Sequence, residues 1–136
     1  YYDNSFHVSS RINMSPFEKL RLEALGHKYS AGGHISYIET DSLTKNLDAI
    51  PDILRYAKMV GIHYMGINQP VDKCHICGYK GEFTATKEGF TCPQCGNHDS
   101  NEMSVIRRVC GYLSQPNARP FNKGKQEEIM HRVKHS

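Results

Sequence analysis

Four cysteines carry the plainest chemistry in this chain. Cys74 and Cys77, then Cys92 and Cys95, form two Cys-x-x-Cys pairs, each followed by a glycine, Gly78 and Gly96. Fourteen residues, Gly78 to Thr91, separate the pairs. Thiolates are soft anionic ligands, and two such pairs can surround one metal ion tetrahedrally. The gap falls just short of the roughly 15–20 residues usual for such sites, which a hairpin absorbs. The glycine after each second cysteine allows a tight turn that aims amide N–H groups at the sulfurs. Four protein ligands leave no position open for water or substrate, so the spacing points to structural zinc; iron in a rubredoxin-like site fits the same ligands. His75 and His98 lie nearby as substitute ligands, but with the shell complete they read as solvated bystanders. The fifth cysteine, Cys110, reads as a small buried hydrophobe and is given no catalytic role.

The elements that must position these residues follow from pattern. Between the pairs, Glu82–Thr86 and Gly89–Thr91, hinged at Lys87-Glu88-Gly89, make a β-hairpin, and the whole reads as a zinc ribbon. Upstream, Ser15-Pro16-Phe17-Glu18 is a capping box with proline at the first helical position. Phe17, Leu20, Leu22 and Leu25 give that helix its apolar face, and Gly26 ends it. His34–Glu39 alternates as a strand after Gly32-Gly33, a pair that reads as a steric turn, with a phosphate-cradling role as the functional rival. Leu47, Ile50, Ile53, Leu54, Ala57 and Val60 recur at helical spacing, predicting a helix over 48–60 ended by Gly61; Ile62–Ile67 follows as a strand. The order suggests a parallel βαβ unit. Downstream, Met103, Val105, Ile106, Val109 and Cys110 predict a short helix. Ser114–Asn117 predicts a turn, and 126–134 a terminal helix with an acidic start and a basic end, carrying Glu127–His131 and Glu128–Arg132 pairs.

The stretch Arg107-Arg108-Val109-Cys110-Gly111-Tyr112-Leu113, with Arg119-Pro120-Phe121-Asn122 and the tail to Ser136, resembles the C-terminus of anaerobic (class III) ribonucleoside-triphosphate reductases. Asn4-Ser5-Phe6-His7-Val8, Gly32 through Glu39 and both cysteine pairs extend the likeness over nearly the whole chain. Read alone, Gly111 is a turn glycine. The resemblance implies instead that it stores a radical. A Cα radical is stabilised between a donating nitrogen and a withdrawing carbonyl if the centre can flatten, and only glycine lacks a Cβ to crowd it. The implied fold is α/β: the C-terminal portion of a ten-stranded α/β glycyl-radical barrel with a four-cysteine zinc ribbon and a radical-bearing loop. Residues 1–70 would be the closing βαβ part, 71–100 the ribbon, and 101–136 the radical loop and C-terminal helix, with Tyr112 and Leu113 packing the glycine inside the barrel. The resemblance also implies a radical activase using S-adenosylmethionine and an iron-sulfur cluster, a ribonucleoside triphosphate substrate, formate as reductant, and a homodimer in the cytoplasm. Ser114 departs from the glycine expected after the leucine.

Every cysteine here is assigned to metal or adjoins Gly111, so the thiyl cysteine that the resemblance requires is expected in an upstream part of the reductase. The chain opens on Tyr1 and reads there like the middle of a fold, suggesting a fragment, a processed product or half of a split protein. A stand-alone spare-part glycyl-radical subunit and a zinc-ribbon binding module are the rival readings. The ribbon's cations, Lys73, Lys80 and Lys87, are matched by Asp72, Glu82, Glu88 and Asp99, which argues against a nucleic-acid surface. Net charge is only +3 over 136 residues, and no apolar run approaches the roughly 20 residues that span a bilayer. Arg119, Lys123 and Lys125 read as solvated side chains, with the activase or a phosphate as the functional rival.

Overall fold

The computed structural model describes residues 7–40, 46–109, 112–115 and 121–135. The chain divides into two compact units, Tyr2–Gln69 with Val133–Ser136, and Pro70–Arg132.

In the first unit, α1 (Pro16–His27) starts as the capping box requires: the Glu18 N–H donates to Ser15 Oγ, and the Ser15 N–H donates to Glu18 Oε2 at 3.0 Å. It runs one residue past Gly26. Its buried face is Pro16, Lys19, Leu20, Glu23 and His27, whereas Phe17, Leu22 and Leu25 are exposed, so only Leu20 of the expected apolar face is buried. The buried charges are compensated. Lys19 Nζ donates to the Tyr37 carbonyl at 2.7 Å and lies 3.8 Å from Glu23 Oε1, which also accepts from the Val8 N–H.

Strands β1 (Ser36–Glu39) and β2 (Met65–Asn68) pair in parallel, Ser36 opposite Met65 and Glu39 opposite Asn68, with α2 (Ala49–Val60) as the crossover. The expected βαβ unit is therefore present. Gly61 ends α2 at φ +87°, its N–H reaching back to Ala57. Leu20, Ile38, Ile53 and Ala57 form the core, with Tyr56, Val60, Ile62, Met65 and Ile67 packed against it. Leu47 and Leu54 of the predicted stripe face solvent. The tail re-enters this unit: the Val133 N–H donates to the Ser10 carbonyl, the His135 N–H to the Glu39 carbonyl at 2.8 Å, and the Glu39 N–H to His135 Nδ1 at 2.9 Å.

The second unit holds β3 (Asp72–Cys74), β4 (Lys80–Gly81), β5 (Thr84–Thr86), β6 (Gly89–Thr91), β7 (Met103–Ser104), β8 (Arg107–Val109), β9 (Tyr112–Ser114) and α3 (Lys123–His131). β4, β3 and β7 make an antiparallel sheet; β5 and β6 form the expected hairpin. The helix predicted over 103–110 is absent from the described residues. β7 and β8 stand there instead, with Met103, Val105, Arg107 and Val109 buried at every second position. α3 starts earlier than predicted because Asn122 caps it, its Oδ1 accepting from the Lys125 N–H; the first turn then holds no acidic residue. Glu127–His131 and Glu128–Arg132 pair as expected. The predicted turn after Ser114 falls partly outside the described residues, as does Arg119; Ser114 itself pairs in β9.

Candidate metal centre

Two knuckles present the sulfurs. In the first, the Gly78 N–H donates to the Cys74 carbonyl and the Cys74 N–H to the Tyr79 carbonyl; in the second, Gly96 bonds to Cys92 and Cys92 to Asn97 in the same pattern. Each reversal places its glycine at positive φ, +75° for Gly78 and +72° for Gly96, conformations that a side chain strains. The four ligand atoms of Cys74, Cys77, Cys92 and Cys95 lie within 4.8 Å of one another. Cys74 Sγ is 3.7 Å from Cys95 Sγ, and Cys77 Sγ is 3.7 Å from Cys92 Sγ. Metal–sulfur bonds of about 2.3 Å to a tetrahedral centre put sulfurs about 3.8 Å apart, whereas a disulfide needs about 2.05 Å. The donor set therefore fits a four-thiolate metal ion.

Cys74 and Cys92 are buried in a small core with Phe83, Met103 and Val105, while Cys95 is exposed. The Cys77 N–H, with some help from the other knuckle groups, lowers the Cys74 thiol to about 6. For Cys77 the Tyr79 N–H pulls downward, but loss of water and the sulfurs of Cys95, Cys74 and Cys92 outweigh it and push the thiol up to about 12. Asn97 Nδ2 donates to Cys74 Sγ at 3.8 Å and to the Glu102 carbonyl at 3.4 Å, tying the second knuckle to the first. His75 and His98 are not among the grouped ligands: His75 Nε2 faces Ser104 Oγ at 3.1 Å, and His98 Nδ1 lies 3.5 Å from the Gly96 carbonyl.

Asp72, two residues before Cys74, is 1% exposed and accepts from three groups: the Phe83 N–H at 2.8 Å, the Ile106 N–H at 3.2 Å and the Arg107 guanidinium. Arg107 Nη2 also donates to the Phe83 carbonyl, and the guanidinium lies 5.1 Å from the Phe90 ring centroid. The sequence alone shows Asp72 only as an anion balancing the ribbon's lysines and Arg107 only as the head of the 107–113 stretch, and gives no sign of this pairing. β8 and β9 pair antiparallel, Arg107 opposite Ser114 and Val109 opposite Tyr112. They flank Cys110 and Gly111, which lie outside the described residues. Arg132 Nη1 donates to the Arg108 carbonyl at 2.9 Å, and Leu113 is exposed.

A family profile described as anaerobic ribonucleoside-triphosphate reductase matches residues 1–135. The chain belongs to that family. It is 49% identical over 135 residues to the anaerobic ribonucleoside-triphosphate reductase of Escherichia coli (strain K12), covering 99% of this chain and 19% of that protein. Identity to the protein of that name from Enterobacteria phage T4 is 50% over 135 residues, covering 22% of it. The chain thus spans about a fifth of the length of the curated relatives it matches. A solved anaerobic ribonucleotide reductase shares the fold, with a TM-score of 0.65 at 22% identity over 95% of this chain and 19% of that one. No helix among the described residues is long and apolar enough to cross a membrane.

Proposed function

We propose that this chain supplies the radical-bearing part of an anaerobic ribonucleoside-triphosphate reductase, an oxidoreductase making deoxyribonucleotides, with Gly111 as the radical store. Family membership over residues 1–135 carries the reading. The β8–β9 pairing supports it, because Val109 stands opposite Tyr112 and the segments on either side of Gly111 are thereby brought together. In this reading the first unit closes a ten-stranded α/β barrel whose other strands come from upstream sequence. Cys74, Cys77, Cys92 and Cys95 hold zinc, a d¹⁰ ion without redox chemistry, so the site is a structural foot for the radical-bearing segment. The activase, with S-adenosylmethionine and an iron-sulfur cluster, removes hydrogen from Gly111 Cα. The Gly111 radical takes the S–H hydrogen of an upstream cysteine, and the thiyl radical so formed abstracts the 3′-hydrogen of the ribonucleoside triphosphate, with formate as reductant, in a cytoplasmic homodimer.

The test is anaerobic activation of the full enzyme followed by electron paramagnetic resonance and air exposure. A glycyl doublet is expected that disappears in air as the backbone is cut at Gly111. If Gly111→Ala retains both the doublet and the cut, the assignment is wrong.

A further inference from the structure

The carboxylate of Asp72 ties together segments that are separate in sequence. It stands on β3 beside the ligand Cys74, and its two oxygens take donors from Phe83, at the start of the second ribbon hairpin, and from Ile106 and Arg107, at the start of β8. Arg107 returns the tie by donating to the Phe83 carbonyl and lying over Phe90, two residues before Cys92. Asp72 is 1% and Arg107 8% exposed. Apolar contacts can slide past one another, but a buried guanidinium cannot leave its carboxylate without stranding a charge. If β3 shifts, β8 must follow.

We propose that Asp72 and Arg107 are positioning residues that carry the order imposed by a metal ion at the four-sulfur site to the β8–β9 hairpin flanking Cys110-Gly111. The coupling has a definite route. Metal fixes Cys74, Cys74 fixes β3, and Asp72 on β3 fixes both the backbone at Ile106 and the side chain at Arg107. The far side of β8 is held separately, through Arg132 on the Arg108 carbonyl, so the Asp72 link sets the face of the hairpin turned toward the ribbon. Its importance for hydrogen removal from Gly111 rests on the reading proposed above; the coupling itself does not.

Amide hydrogen exchange on the full enzyme, with and without a chelator, tests the coupling in the unaltered protein and in Arg107→Lys. Lysine keeps the charge but loses the fork that reaches both Asp72 and Phe83. In the unaltered protein, metal removal should speed exchange in the 106–114 segment by roughly tenfold, within the range for coupled neighbours. In Arg107→Lys with metal content unchanged, that segment should already exchange at the faster rate, and chelation should add little. Independent, multiplying effects of the variant and of chelation would overturn the proposal. If Arg107→Lys loses its metal, the unaltered protein still decides: a segment 106–114 whose protection ignores metal occupancy sinks the coupling. Spin counting after activation gives a separate readout, with a smaller glycyl signal expected in metal-replete Arg107→Lys. Absence of that signal from the unaltered protein would count against the radical reading and leave the exchange result standing.

Discussion

Cys74 ionises readily while Cys77 holds its proton far into alkali, so a metal ion entering this site must displace protons. Metal affinity is therefore expected to rise with pH and to collapse once the pH falls below about 6 and even Cys74 is protonated. A competition titration at several pH values checks this, and an affinity flat across the range would contradict it. Cys77→Ser should lose the metal, and with it the order of the two cysteine knuckles. Structural zinc in small domains supplies roughly 10–16 kcal/mol, and the core here is five residues with a few partly buried neighbours. Asp72→Asn strands a buried guanidinium, at a cost of about 3–5 kcal/mol by denaturant unfolding. Adding Arg107→Met should recover part of that loss, since the guanidinium that lacks a counter-charge is then gone. A double variant no more stable than the single one would mean the loss lies elsewhere.

Elements show where the sequence was legible. The capping box, the βαβ unit and the two knuckles were readable because each is local: a cap, a period or a four-residue motif decides it. The segment 103–109 was not. Its burial alternates strictly, but Arg107 occupies one of the buried positions, so the apolar residues left behind mimic a helical spacing. α1 misleads the same way, since Lys19, Glu23 and His27 hold the inner face and Leu22 and Leu25 the outer. In both cases a buried cation donates to a partner distant in sequence, the Asp72 carboxylate for Arg107 and the Tyr37 carbonyl for Lys19. No local pattern announces such a partner. The local devices invite direct tests: Ser15→Ala should cost about 1 kcal/mol through loss of the cap. Gly61→Ala should cost about 1–2 kcal/mol through its backbone alone, because nothing lies within 4 Å of where the Cβ would stand. Thermal melts of each variant give both values.

At the scale of the whole molecule, the first unit should be acid-sensitive. His27 Nδ1 accepts the His63 N–H at 3.3 Å and Nε2 lies 3.0 Å from Ser36 Oγ, so His27 needs to stay neutral. Burial, then the neighbouring His34 and His63, holds its pKa below the usual histidine value; burial and His7 do the same for His34. The unfolded chain then binds protons that the folded one refuses, and stability must fall as the pH drops below about 6.5. Glu23 adds to the trend at lower pH. Burial raises its pKa, but hydrogen bonding from His7 and the charge of Lys19 lower it further than that. Its contribution is full above about 4.3 and is lost as the pH falls through its folded value. Melting temperatures between pH 8 and pH 4 should therefore decline, and His27→Gln should flatten the upper part of the decline.

The outer edge of β1 has one more bearing on how the chain behaves. Ser36 and Thr40 donate toward β2, leaving Tyr37 and Glu39 to face away, and those two are stoppered by Lys19 Nζ on one carbonyl and by His135 on both groups of Glu39. An unpaired strand edge invites another strand to add to it. Among the described residues His135 covers that edge at Glu39, so trimming the chain back to Arg132 would uncover a sticky margin and make the protein more prone to clumping.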